Sequence, residues 1–376
     1  MHRWFWGISL LAIVATSGGI RAASAEGETY LYIKGVPSNG FHDVVERFRF
    51  NLDGTMRFLD RTTIGDDTSY TGWPGQTMTC ARGNVAPPVV VSGGIRGITV
   101  FTVGRDGALL RVGGSPFTGS QPISEIMGVA VVHRRSRTFV YGAETARDQI
   151  RGFELTQLGT LVELPNSPFP SGPSPFALSA GDTYLFAAGQ RLQQPGTIST
   201  YRVMLDGTLT PPDGSPYSSG TTALTHAVSD PSGSFVYAGD RFRARIFGYR
   251  ASHPSGALTE VKFQGIPTGT FIPSRGVVQG SLGFVFALSD ARTLPVLSLR
   301  RDATGLLRVL GVPMLAGLHQ ITQGALEPNE AYLVLMDEFG GFVSSLAINQ
   351  MTGAMRPVKD VNLPLRGVTG LSFGIP

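Results

Sequence analysis

A two-residue turn that recurs seven times at nearly constant spacing constrains this chain more than any other feature. The pairs Asp53-Gly54, Asp106-Gly107, Leu158-Gly159, Asp206-Gly207, Ser255-Gly256, Thr304-Gly305 and Thr352-Gly353 are each followed, after one residue, by Leu or Met. Their glycines lie 53, 52, 48, 49, 49 and 48 residues apart. A period near fifty containing only short strand-like runs is the mark of a β-propeller, in which each repeat is one four-stranded blade. Glycine supplies the positive φ of the turn, and the Asp, Ser or Thr before it in six copies can bond back to the local backbone.

The copy from Thr225 to Val261 reads strand by strand: Thr225–Val228 as strand A, Asp230-Pro231-Ser232-Gly233 as a turn, Phe235–Tyr237 as B, Arg245–Tyr249 as C and Leu258–Val261 as D. Val129–Val132, Thr138–Tyr141, Ile150–Leu155 and Leu161–Leu164 repeat the order. At the ends, Gly367–Phe373 is a strand A with no B after it, and Thr29–Ile33 a strand B with no A before it. Pairing them in one sheet closes the ring and removes exposed edges. The expectation is an all-β, seven-bladed β-propeller of four-stranded blades over residues 26–376, since no linker, charge run or low-complexity stretch divides them. The 49 Gly and 25 Pro, with only 15% charged residues, agree with many tight turns.

Before this domain, His2 and Arg3 precede an apolar stretch from Trp4 to Ala15, and small residues lead to Ala23-Ser24-Ala25. Residues 1–25 read as a secretory signal peptide, and the mature chain is expected in the periplasm or outside the cell. The apolar stretch is short of the about twenty residues that span a bilayer, and no membrane span is expected in the mature chain. Removing this segment takes away Arg3 and Arg21 and no acid, so the net charge falls from +4 to +2, which argues against nucleic acid as a partner. Cys80 is the only cysteine, so no internal disulfide forms; burial as a small apolar group is its expected state.

The connections from D to the next A carry Gly114-Ser115-Pro116-Phe117, Asn166-Ser167-Pro168-Phe169 and Gly214-Ser215-Pro216-Tyr217. With Asp230-Pro231-Ser232-Gly233-Ser234-Phe235-Val236-Tyr237, they resemble the exported lactonase-like propellers related to bacterial 6-phosphogluconolactonase. The resemblance covers essentially the whole mature chain. It implies a seven-bladed ring and, for activity, a lactone-opening ancestry. Its motifs belong to turns and strands, so no catalytic residue of that family is carried over.

The sequence holds no G-x-S-x-G, H-E-x-x-H, P-loop, G-x-G-x-x-G or Cys/His metal spacing, and neither a cofactor nor a metal is expected. Any site must be assembled from several blades, on the face shared by the D–A and B–C connections beside the channel. Aligning the repeats sets Arg82-Gly83, Arg275-Gly276 and Arg366-Gly367 at the start of strand A in three blades. Guanidinium forks there would suit a carboxylate or phosphate, although each could instead pair with a neighbouring acid. Beyond strand B come Glu144, Asp240, Asp290, Asp337 and Glu338, able to bind the arginines, hold a cation, act as a base or satisfy loop amides. His226 begins one strand A, and His319 lies before another, near Gln323; either imidazole could activate water or serve structurally.

Residues 61–80, with Asp66, Asp67, Tyr70 and Trp73, depart furthest from the repeat. The expected catalytic pair is His226 and Asp240, and the expected ligand-binding set is Arg82, Arg275, Arg366, His319 and Gln323. Two functions follow: a propeller that binds a small anionic or carbonyl-rich ligand, or an envelope protein, at its channel mouth; or a lactone hydrolase.

Overall fold

The computed structural model describes residues 28–374 except 38–41, 66–76, 82–86, 226, 244, 262–272, 290, 292–294, 312–320, 338–340 and 364. Residues 1–25, read above as a signal peptide, and the centre of the 61–80 departure therefore lie outside the described residues. Seven antiparallel sheets are present, each with a four-stranded path. Their inner A strands are Leu365–Gly374, Met78–Ala81, Ile126–Arg134, Pro175–Ala180, Val228–Ser229, Gly276–Gln279 and Ile321–Leu326, in blades 1 to 7. Each packs beside the next, and the last packs beside the first, so the ring is closed. The fold is a seven-bladed β-propeller.

Closure is made as the incomplete end repeats predict. Thr29–Pro37 is strand B of blade 1 and pairs antiparallel with Leu365–Gly374, from Tyr30 opposite Gly374 to Pro37 opposite Leu365. The other strands run somewhat differently from the apolar pattern that located them. In blade 5 the regular ladder of strand A shrinks to Val228–Ser229, while Thr225 still donates its amide to Gly239 and Leu224 bridges to Asp240. Strands B and C of that blade are Phe235–Gly239 and Ile246–Ala251, and D is Leu258–Val261 as read. Backbone pairing continues past the last apolar residue because the ladder depends on amides, whereas the sequence pattern reports only burial.

The turn glycines do more than reverse the chain. All seven have φ between 72° and 95°. In six interfaces the aromatic ring that opens strand B of one blade lies on the C–D turn glycine of the next: Tyr30 on Gly107, Phe139 on Gly207, Tyr184 on Gly256, Phe235 on Gly305, Phe284 on Gly353 and Tyr332 on Gly54. A methyl group at Gly305 would meet the Phe235 ring at 2.6 Å, so positive φ and close approach both exclude a side chain. Two residues further along strand B, the buried phenols of Tyr32, Tyr141 and Tyr237 donate to the carbonyls of Gly107, Gly207 and Gly305, each at 2.7 Å. Ser298 and Ser345, on strand C, reach Gly353 and Gly54 in the same manner. Apolar clusters fill the spaces between neighbouring blades, for example Phe235, Tyr237 and Ile246 of blade 5 against Val277, Val285 and Leu299 of blade 6.

The Ser-Pro-aromatic motifs have an equally local cause. Ser115, Ser167 and Ser215 accept hydrogen bonds from the strand C amides of Val100, Gly152 and Thr200 at 3.0–3.1 Å. Phe117, Phe169 and Tyr217 then pair with Ile98, Ile150 and Ile198, at equivalent places in blades 2, 3 and 4. The motif ties each D–A connection back onto its own blade.

Candidate functional site at the channel mouth

Strand A starts, strand B ends, and the D–A and B–C connections all lie at one end of the ring. Behind this mouth a cavity of about 230 Å³ in the channel is lined by Thr79, Ser179 and small apolar residues such as Ala130 and Ala227, with no titratable side chain among them.

In blades 3 to 5 the mouth is held by buried polar groups. Glu144, at the end of strand B of blade 3 (Arg137–Glu144), is fully buried and accepts from Gln149, from Arg151 at 2.9 Å and from the Ser124 amide at 2.8 Å. Arg151 is itself buried and reaches Glu163 at 2.9 Å, and Glu163 also takes bonds from Ser120 and Ser167. Burial alone would raise both carboxyl groups, but these hydrogen bonds and the Arg151 charge hold them below the usual range. Gln190 bonds to the Thr222 carbonyl and the Leu224 amide. Asp240 accepts from the Thr221 hydroxyl at 2.8 Å and from the Phe242 and Arg243 amides at 2.9 and 3.1 Å. Residues 221–224 are thus gripped from both sides. One Asp240 oxygen serves this grip and the other holds the B–C connection at Phe242 and Arg243, the loop-satisfying use of a strand-end acid.

Of the three aligned arginines, two lie where the alignment sets them. Arg275 is half-buried directly before strand A of blade 6, its amide bonded to the Leu288 carbonyl. Arg366 is the second residue of strand A of blade 1, opposite Val36. Strand A of blade 2 is Met78–Ala81, which ends before the Arg82-Gly83 pair that the alignment sets at its start. Gln323, half-buried, is the third residue of strand A of blade 7, opposite Met336. His226, His319, Arg82, Asp290 and Glu338 lie outside the described residues, while Thr225 and Ala227, on either side of His226, are buried at the start of the inner strand of blade 5. Arg275, Gln323 and Arg366 belong to consecutive blades 6, 7 and 1.

Sequence reasoning missed a second polar cluster. Lys34, in strand B of blade 1, is fully buried, donates to the Gly93 carbonyl at 2.7 Å and lies 3.4 Å from Asp43. Glu125, before strand A of blade 3, is pushed up by burial, with the Lys34 charge opposing. A lysine inside the apolar run Tyr30-Leu31-Tyr32-Ile33 was the available signal. Cys80 is half-buried, and burial pushes its thiol up to about 12. Among the described residues no group of three His, Cys, Asp or Glu could hold a metal ion, and no helix is long and apolar enough to cross a membrane.

No family model matches the sequence, and no curated protein matches it. Solved structures do match in fold. A candidate 6-phosphogluconolactonase of Bacteroides fragilis superposes with a TM-score of 0.67 at 16% identity over 93% of this chain and 99% of that one. A corresponding protein of Bacteroides uniformis gives 0.66 at 15% over 93% and 100%. The periplasmic gluconolactonase of Pseudomonas aeruginosa gives 0.67 at 13% over 93% and 100%. The chain has the architecture of the lactonase-like seven-bladed propellers, and at these identities the likeness is one of fold.

Proposed function

We propose that this chain is an exported lactonase-type propeller whose channel mouth, along blades 5, 6, 7 and 1, binds a small anionic or carbonyl-rich ligand such as a sugar-derived lactone. The observation that carries the reading is Arg275: a half-buried guanidinium at the start of an inner strand, followed in the next two blades by Gln323 and Arg366. The names of the structural neighbours, which include a gluconolactonase, agree with a lactone as ligand. In this reading Arg275 and Arg366 hold a carboxylate or phosphate, or polarise the lactone carbonyl, and Gln323 and His319 add hydrogen bonds.

Hydrolysis follows from the same arrangement. His226 takes a proton as water adds to the carbonyl carbon, Arg275 stabilises the tetrahedral oxyanion, the ring C–O bond breaks, and the departing oxygen receives the proton. Asp240 supports this chemistry by holding the Thr221–Leu224 connection that leads to His226.

The test is a calorimetric and pH-stat comparison of wild type with Arg275→Ala and His226→Ala on gluconolactone and gluconate. Losing an oxyanion donor costs about 10²–10³ in rate, so Arg275→Ala is expected to abolish most turnover while its melting curve stays unchanged. Gluconate binding that survives Arg275→Ala with Arg366→Ala would overturn the site. Binding without hydrolysis across a lactone panel would leave a ligand-binding propeller, and an envelope protein as partner would then be sought by crosslinking at the mouth.

A further inference from the structure

A cavity of about 850 Å³ is an open groove between the outer parts of blades 5 and 6, on the face opposite the mouth. That volume falls within the ~300–1,000 Å³ of small-molecule sites. Its lining combines Arg250, His253, Ser252 and Thr259 of blade 5 with Ala303 of the blade 6 turn, over the edge of Phe235.

Arg250 is the permanent cation of this lining. It stands in strand C opposite Phe235, the aromatic residue that opens strand B. In blades 1, 3 and 6 the corresponding residue is satisfied: Arg49 pairs with Glu28, Glu154 with Arg137, and Arg300 lies over its own Phe284 at 4.4 Å, whereas Arg202 of blade 4, opposite Tyr184, is exposed like Arg250 but does not line this groove. In blade 5 that aromatic face is already taken. Arg301 of blade 6, 3.4 Å from Asp230, covers Phe235 at 4.3 Å. Arg250 is consequently exposed, with no ion-pair or hydrogen-bond partner for its guanidinium among the described residues. Glu260, the acid on the rim, lies 3.7 Å from Arg245.

Two further features keep the groove open and shaped. The blade 6 turn carries Ala303 where blades 1, 2 and 4 carry Leu52, Arg105 and Leu205. His253 is fixed between the buried Tyr184 hydroxyl at 3.1 Å and Ser234 at 3.2 Å, so its ring forms a rigid wall.

We infer that this groove is a second ligand site, for a small molecule carrying an oxyanion, carboxylate or phosphate, beside hydroxyl groups. The Arg250 fork takes the oxyanion, while the serine and threonine hydroxyls and the apolar floor take a sugar-like body. Calorimetry at low ionic strength with glucose 6-phosphate, glucuronate, inorganic phosphate and glucose tests it. Saturable binding of the sugar phosphate or the uronate is expected, and which of them binds identifies the oxyanion. Arg250→Gln should weaken that binding tenfold or more, and Ala303→Leu should weaken it by filling the groove without changing charge. Arg275→Ala should leave it unchanged. No saturable binding of either acidic sugar, equal affinity in Arg250→Gln, or phosphate alone binding as tightly as the sugar phosphate would overturn the inference.

Discussion

The two faces of this ring are built on opposite plans. On the turn face one device recurs around the ring: a glycine in left-handed conformation lies under the aromatic ring of the preceding blade, and a buried hydroxyl often caps its carbonyl. At the mouth blades 3, 4 and 5 each use a different one: the Glu144–Arg151–Glu163 chain, the Gln190 bridge and the Asp240 grip. A repeated contact tolerates little local variation because each copy must fit a similar interface. A set of unlike contacts can change one blade at a time, and so leaves the mouth open to specialise.

The largest effect on stability is expected from the unlike plan. Arg151→Ala takes the buried guanidinium from Glu144 and Glu163, leaving the buried Glu144 only the exposed Arg147 at 3.5 Å, and breaking such a buried pair commonly costs about 3–5 kcal/mol. Denaturant unfolding measures it. The same variant changes the acid limb. Because the folded-state pKa values of Glu144 and Glu163 are depressed, their contribution is present above the unfolded carboxylate range and is lost as pH falls through the lower folded values. Arg151→Ala should therefore lose less stability between neutral and acid pH than wild type does. An unchanged acid profile would mean that Arg151 does not set these groups.

Next comes the repeated plan. Gly305→Ala meets both a positive φ and the Phe235 ring, together about 3 kcal/mol. Gly220→Ala isolates the first term, since Gly220 has φ 67° but open space around its missing side chain, and about 1 kcal/mol is expected there. Equal costs at the two positions would show that ring contact contributes nothing, and the proposed reason for the repeat would fail.

The smallest effect concerns Glu46, fully buried in strand C of blade 1, where burial outweighs the Arg61 hydrogen bond and raises its pKa. A raised acid is at no disadvantage below its unfolded pKa and becomes a liability as pH rises through the folded value. Glu46→Gln should gain on wild type as pH increases across that window. Parallel stability curves for the two proteins would contradict the raised value.

How legible the molecule was in its sequence differs between these faces for the same reason. The turn glycines, the aromatic that opens strand B and the Ser-Pro-aromatic connections recur among the blades, so the ring, its blade number and the joining of residues 29–33 to 367–373 are legible directly, and the structure extends that pairing to 29–37 and 365–374. Where a blade lacks strong apolar alternation the pattern misleads: the four-residue strand Met78–Ala81 ends before the Arg82-Gly83 pair that the alignment sets at its start. Asp240 was legible as a strand-end acid, but only its three contacts distinguish a residue holding a loop from one offered to a ligand. Lys34 stood in plain view as a charge within an apolar run, yet its partners come from a neighbouring blade and from another strand.

The sequence by itself determined the repeat, the all-β architecture and the manner of closing the ring, because these follow from period, turn chemistry and apolar alternation along one chain. Only the tertiary structure decided which polar residues meet at the mouth and why Arg250 is left facing an open groove. Those outcomes depend on side chains brought together from different blades, and a guanidinium is satisfied or not according to a neighbour about fifty residues away, as when Arg301 occupies the ring opposite Arg250.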